Sequence, residues 1–323
     1  MGRAEIAMTP EIASAVETEW GLGSFSTETA ERLTGGEESA AYRVDLRARP
    51  GGTGGTGGTG GTGGTGGTGG TGGTGGTGRS GGTGSARGVV VRLGPVRRGS
   101  AVMEWCHQVA ASAGVGEVVV PLRTAGGASV VRVDGRPVSV WPLVGGRWLD
   151  AGEPAEVEQA ARLLARLHRG LRDVAMPPRP ERSYLEFGGE TGELQDVELD
   201  RWLAGFTRKK QPLHGDYYRG NLLVDRGRIS GVIDWDEAWV GAPEVELAGA
   251  AREFGDQWST ELGRAKAFVA WYHAAGGTAG ALDDETLVQL IRHRLRAEVV
   301  AFGGDGSDEY YDRLRKLFAD LRP

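Results

Sequence analysis

The stretch PLHGDYYRGNLLVDRGRISGVIDWDEA, Pro212–Ala238, sets one histidine, one asparagine and several aspartates around two short apolar runs. The runs Leu222–Val224 and Gly231–Ile233 are strand-like, and Asp225–Arg226–Gly227 between them is a turn. Paired antiparallel across that turn, they bring Asn221, which opens the first run, and Asp234, which closes the second, to the same open end. Both are oxygen donors of the kind Mg²⁺ prefers, an ion usually held by one or two carboxylates together with substrate phosphates. Asp216, five residues before Asn221, falls on the loop entering that end, where its carboxylate can accept a hydroxyl proton and orient a nucleophile. Phosphoryl transfer asks for little more than positioning, a metal and charge neutralisation.

Outward from this stretch, the 323 residues suffice for one large domain or two modest lobes, and a hydrophobic content of 39% allows a sizeable core despite 57 glycines. The net charge of −6 argues against a nucleic-acid partner. A single cysteine, Cys106, excludes an internal disulfide and fits a reducing compartment. There is no run of 18 or more apolar residues, and the first twenty residues have neither an apolar signal core nor a myristoylation pattern. The expectation is a cytoplasmic protein with no membrane partner. Lysine is confined to Lys209, Lys210, Lys266 and Lys316, so any cationic role before residue 209 falls to arginine.

Residues 51–77 are nine GGT triplets with no apolar side chain, and they are expected to form a flexible Gly/Thr-rich insertion over 51–87. Strand-like runs flank it at 40–46 and 88–94 and predict a hairpin with an inflated turn. A helix is expected from Ser100, as its N-cap, to the stop at Gly114, and then two strands around an Asp-Gly turn within 129–144. Past Gly146 the pattern becomes helical: Val157, Ala160, Ala161, Leu164, Leu167 and Leu171 recur at helical spacing, and further helices are expected near 259–275, 284–302 and 307–321. The fold class is therefore α+β, with a small antiparallel β-rich lobe over 1–145 and a larger α-helical lobe over 146–323 that embeds the quoted hairpin.

HGDYYRGN followed by VIDWD, thirteen residues after Asn221, resembles the catalytic and metal-binding segments of the aminoglycoside phosphotransferase family, small-molecule kinases with a protein-kinase-like bilobal fold. The resemblance implies an ATP- or GTP-dependent, Mg²⁺-requiring phosphotransferase with an alcohol group on a small-molecule acceptor. It makes Asp216 the catalytic base and Asn221 and Asp234 the metal ligands. His214 then organises the loop, and Asp236 supports the site without ligating the metal. Glu246, in PEVELA, stands where many relatives carry an aspartate that braces the catalytic loop. His168, in LARLHRGL, is a packing residue.

The same resemblance directs the nucleotide. The turn Gly35–Gly36 in LTGGEESAAYRV is the candidate phosphate loop, since glycine permits close backbone approach. Arg92, in VVVRLG, takes the place of the basic residue on the third strand that grips phosphates, and Glu104 in the following helix is its candidate partner. The Pro142 carbonyl and the Val144 N–H are the candidate adenine contacts. The acceptor stays open. Residues 241–323 hold 14 acidic and 10 basic residues, a milder excess than a polycationic aminoglycoside favours. Trp235, Trp239, Trp258, Trp271 and Tyr272 suit the core and also suit a pocket wall. Homoserine, sugar and fructosamine kinases share the motif pair, and a nucleotide-binding pseudokinase is the alternative of another class.

Overall fold

The computed structural model of the chain describes residues 6–33, 39–47, 88–304 and 308–323. The Gly35–Gly36 turn and the Gly/Thr-rich insertion lie outside the described residues. The first part of the chain contributes α1 (Pro10–Glu19), β1 (Glu31–Arg32), β2 (Ala40–Asp45), β3 (Gly88–Leu93), α2 (Ser100–Ser112), β4 (Val131–Val133) and β5 (Arg136–Pro142). Its strands form one antiparallel sheet in the order β1-β2-β3-β5-β4. The pairing of Ala40 with Leu93 through Asp45 with Gly88 is the hairpin expected on either side of the insertion.

β6 (Arg147–Trp148), α3 (Pro154–Leu171), α4 (Val197–Gly205), β7 (Gln211–Leu213), β8 (Leu222–Asp225), β9 (Arg228–Val232), β10 (Trp239–Gly241), α5 (Pro243–Phe254), α6 (Gly263–Ala274), α7 (Asp284–Phe302) and α8 (Glu309–Asp320) follow. This is the α+β, two-part architecture anticipated, with α1, α4 and α5 added to the helices the spacing had indicated. α5 was hidden because it is buried nearly all round, from Pro243 to Phe254, and so lacks an amphipathic stripe. The helix at 100 starts one residue earlier than expected: Gly99 is the N-cap, without a side-chain bond, and Ser100 is already helical.

Two cores form. In the smaller, Ile12, Ala13 and Val16 of α1 pack with Val44, Val89, Val91, Val138 and Val140 of the sheet. In the larger, the apolar stripe of α3 packs with α5, α6 and α7, and all six positions singled out in that helix are buried. The inner face of α2, with Val102, Trp105, Cys106 and Val109, belongs to this larger core and not to the sheet. The loop after α2 is stitched to the embedded hairpin as well: the Val232 N–H donates to the Glu117 carbonyl (2.7 Å) and the Val119 N–H to the Val232 carbonyl (3.1 Å). Helix and loop together therefore hold the sheet against the site. Among the described residues no helix is long and apolar enough to cross a membrane.

Several histidines sit inside these cores. The His293 Nε2–H donates to the Leu185 carbonyl at 2.9 Å, and His107 Nδ1 lies 2.7 Å from the Ser129 hydroxyl. Burial pushes His107 down to about 3 and His293 down to about 4. Below the unfolded value of about 6.5 the unfolded chain takes up protons that the folded chain refuses, so stability falls as pH drops. We expect the unfolding free energy to decline from about pH 6.5 toward pH 4, each histidine adding a slope of about 1.4 kcal/mol per pH unit. Denaturant titrations across that range should show a shallower slope for His293→Gln than for the parent. Identical slopes would contradict the assignment.

Candidate active site

β7 delivers the loop His214–Asp216, held in place by β10, with Leu213 opposite Trp239. Gly215 has φ of 86°, and a Cβ there would stand 2.0 Å from the Glu237 carbonyl oxygen, so no other residue fits. The His214 Nε2–H donates to the Ile233 carbonyl (3.0 Å), and its Nδ1 accepts from the Asp216 N–H (3.2 Å). One neutral imidazole thus ties the loop to the end of β9, and burial keeps its pKa below the ordinary range.

Glu246, buried in the first turn of α5, accepts hydrogen bonds from the Gly215 N–H, from the His214 N–H at 3.4 Å and from His168 Nε2 at 2.8 Å. His168 in turn meets the Tyr272 hydroxyl at 2.8 Å. The longer carboxylate therefore spans from the loop to α3, and its position at the helix N-terminus favours the charge.

Asp216 is held from two sides. Its Oδ2 accepts from Asn221 Nδ2 at 3.0 Å, and the same amide donates to the Asp216 carbonyl at 2.8 Å. Its Oδ1 accepts from Arg294 Nη2 at 2.8 Å, while Arg294 Nη1 donates to the Gly215 carbonyl at 2.6 Å. Burial pushes the Asp216 carboxyl up to about 7 despite the guanidinium beside it, with Asp234 adding to the rise. Arg294 escaped the sequence reading, because it lies in α7, 78 residues beyond Asp216. The available signal was a basic residue on an apolar stripe, three residues past Ile291 and seven past Leu287, both buried.

The hairpin closes as expected. Leu222 pairs with Val232, and the Ile233 N–H donates to the Asn221 carbonyl at 3.0 Å. Asn221, Asp234 and, through the Asn221 amide, Asp216 thus stand at one end of it. Asp234 has φ of 59°, a left-handed conformation uncommon for a residue with a Cβ.

Arg92 also reaches this end, but not with the expected partner. Its Nη2 lies 2.9 Å from Asp234 Oδ1 and its Nη1 lies 3.0 Å from Asp236 Oδ1. Glu104 is engaged elsewhere: it accepts from the Ser129 N–H (2.6 Å), the Ser129 hydroxyl (2.7 Å) and the Val130 N–H (2.8 Å). Three donors on the segment before β4 satisfy that carboxylate, so the Arg92–Glu104 pair is replaced by an Arg92–Asp236 pair. Arg98 adds a second clasp, with Nη1 3.1 Å from Glu237 Oε1 and Nη2 on the Asp236 carbonyl. At the far side, Pro142 ends β5 opposite Val89, and among the described residues the Val144 N–H has no partner.

A cavity of about 680 Å³ opens between α4, the segment Glu186–Thr191 and β10. None of Asp216, Asn221 and Asp234 lines it, so it is not the centre of the constellation. Its wall includes Trp239, which is buried against the strand leading into the loop, with Phe187 and Phe206 on other sides. Trp235 and Tyr272 are core residues, fully buried.

Residues 82–282 match the model of a family described as the phosphotransferase enzyme family. A homoserine kinase from Methylobacillus glycogenes is 25% identical over 172 residues, 48% of this chain and 53% of that protein. Viomycin phosphotransferase from Streptomyces vinaceus is 31% identical over 153 residues, 39% of this chain and 50% of that protein. The chain thus spans about half the length of these relatives. Among solved structures, an amicoumacin kinase in complex with AMP-PNP, Ca²⁺ and its antibiotic superposes with a TM-score of 0.63 at 14% identity, covering 95% of this chain and 91% of that one. Spectinomycin phosphotransferase with ADP and spectinomycin gives 0.57 at 14% identity, covering 99% and 96%. At such identities the likeness establishes the bilobal, protein-kinase-like fold. With well over half of its length matched, the chain belongs to the phosphotransferase enzyme family, the aminoglycoside-phosphotransferase-like kinases that its motifs resemble.

Proposed function

We propose that the protein is an ATP-dependent O-phosphotransferase that acts on a hydroxyl group of a small molecule, with an aminoglycoside or related antibiotic as the first candidate. The observation that carries this reading is the convergence of Asp216, Asn221 and Asp234 at one end of the β8–β9 hairpin, with Asp216 Oδ2 3.0 Å from the Asn221 amide. Asp216 is read as the base that accepts the acceptor's hydroxyl proton. Asn221, whose amide nitrogen is spent on Asp216, and Asp234 are read as the oxygen ligands of Mg²⁺. One carboxylate and one amide oxygen suit an ion that is usually held by one or two carboxylates together with substrate phosphates. When bound, Mg²⁺ and ATP (or GTP) supply the phosphoryl group and the charge that steadies its transfer.

The chain's own residues do the positioning. Glu246 and His214 fix the loop that carries Asp216. Arg294 holds the Asp216 carboxylate in one orientation. Arg92 presents a guanidinium toward the phosphates, and the Pro142 carbonyl and Val144 N–H are read as the edge that meets the base. Gly35 and Gly36 keep their reading as the phosphate loop. Location in the cytoplasm, where ATP and Mg²⁺ are abundant, follows from this chemistry. The net charge of −6 supports a small-molecule partner over nucleic acid.

A second acceptor class is a hydroxy amino acid such as homoserine, named for one of the relatives, and the mild acidic excess of residues 241–323 suits it better than a polycation.

Steady-state ADP formation tests the reading. Asp216→Asn should lower kcat by about 10²-fold or more with an unchanged melting curve. Equal turnover in the two proteins would leave a nucleotide-binding pseudokinase. Arg294→Gln should lower kcat while leaving KM for ATP within about twofold, since Arg294 touches the base and not the nucleotide side. A rise confined to that KM would refute this placement. In a panel of hygromycin B, viomycin, spectinomycin, homoserine and fructosamines, one class should raise ADP release well above the acceptor-free rate. A response to homoserine with none to the antibiotics would decide for the second class.

A further inference from the structure

Resting on the phosphotransferase reading, we propose that Asp236 is the positioning residue for Arg92: it is the fixed carboxylate that holds the guanidinium ready for the nucleotide's phosphates, in the role a helix glutamate would otherwise fill.

The two acids that Arg92 bridges differ in their freedom. Asp234 is 38% exposed at the open end of the hairpin, whereas Asp236 is 7% exposed. The Asp236 backbone is pinned on both sides of its carbonyl, by Arg98 Nη2 and by the Cys106 thiol at 3.3 Å. Cys106 sits on α2 within the larger core, so Asp236 is anchored to the framework and cannot follow a mobile partner. An acid needed by a metal has to exchange its contacts when the metal arrives, and Asp234 is the one placed to do so. Asp236 has no such demand on it. It can keep Nη1 of Arg92 while Nη2 is released from Asp234 and turns to phosphate.

This division of labour also accounts for arginine at position 92. A guanidinium offers separate nitrogens in a rigid fork, so one can stay on an anchor while another changes partner; an ammonium is a single point charge. The Asp236 Oδ1 contact at 3.0 Å is charge pairing without a well-aligned hydrogen bond, because that oxygen has no hydrogen-bond partner of good geometry. Burial alone would lower the pKa of Arg92, and the charges of Asp234 and Asp236 outweigh it, so the guanidinium stays fully charged. Glu104 cannot compete for the role while Ser129 and Val130 occupy both of its oxygens.

The sign of one binding change separates an anchor from a bystander. A buried acid that merely sits near the phosphates repels them, and its neutralisation tightens binding. An anchor does the reverse. The experiment is calorimetric titration of AMP-PNP with Mg²⁺ into the full chain, comparing the parent with Asp236→Asn, Asp236→Glu, Arg92→Ala and the Arg92→Ala/Asp236→Asn double variant, each checked by its melting curve. We expect Asp236→Asn to weaken binding about tenfold, Asp236→Glu to recover part of that loss, and the double variant to bind no worse than Arg92→Ala alone. The corresponding cycle between Arg92 and Glu104 should show no coupling. Unchanged or tighter binding by Asp236→Asn, or additive losses in the double variant, overturns the inference alone. A parent chain that fails to bind AMP-PNP defeats the phosphotransferase reading and the inference with it.

Discussion

A buried negative charge organises the larger part of this protein. Glu246 sits buried in the core, a situation that costs several kcal/mol unless donors surround the carboxylate. The chain supplies three of them from two elements: His168 of α3, and the Gly215 and His214 amides of the loop after β7. Satisfying Glu246 therefore forces α3, α5 and the loop into one arrangement. Asp216 inherits its place from that constraint, and Arg294 of α7 and Asn221 fix the direction of its carboxyl. The geometry of the proposed base is thus set by residues of α3, α5 and α7 together with Asn221.

A second set of charges joins the sheet to this framework. Arg92 of β3 and Arg98 of the following turn clasp the segment Asp234–Glu237, so contact between the two parts of the fold runs through ion pairs at the site. Apolar packing carries the rest of the joint, since α2 and the loop after it belong to the larger core. The consequence is functional. A ligand that competed for the Asp234 carboxylate, as the proposed function requires, would act directly on an interaction holding the sheet to the hairpin.

Much of the site was readable because its residues are close in the chain. Leu222 pairs with Val232 and Leu223 with Gly231, and although a bulge then sets Val224 opposite Ile229, the strand-turn-strand spacing still brings positions 221 and 234 to one end. The helix from Pro154 to Leu171 was equally plain, with one apolar stripe per turn. Legibility ended where partners were distant. Glu104 was assigned to Arg92 on the strength of the family pattern, yet its carboxylate is spent on backbone and hydroxyl donors near Ser129. α5 gave no periodic signal, because a helix buried on every side has no polar face to mark it. The segment between α3 and β7, with α4 and one flank of the large cavity, carried no motif at all.

The amino-acid sequence by itself determined which oxygen donors stand at the end of one hairpin, the arrangement on which the proposed metal and phosphate site rests. That follows from backbone geometry, since an antiparallel pair with a tight turn leaves no freedom in which ends coincide. Tertiary structure alone decided which charges face that site. Arg294 approaches Asp216 from a helix 78 residues away, and Asp236 displaces Glu104 as the partner of Arg92. Electrostatic partners are chosen by burial and distance in space, and neither is encoded in the spacing of residues along the chain.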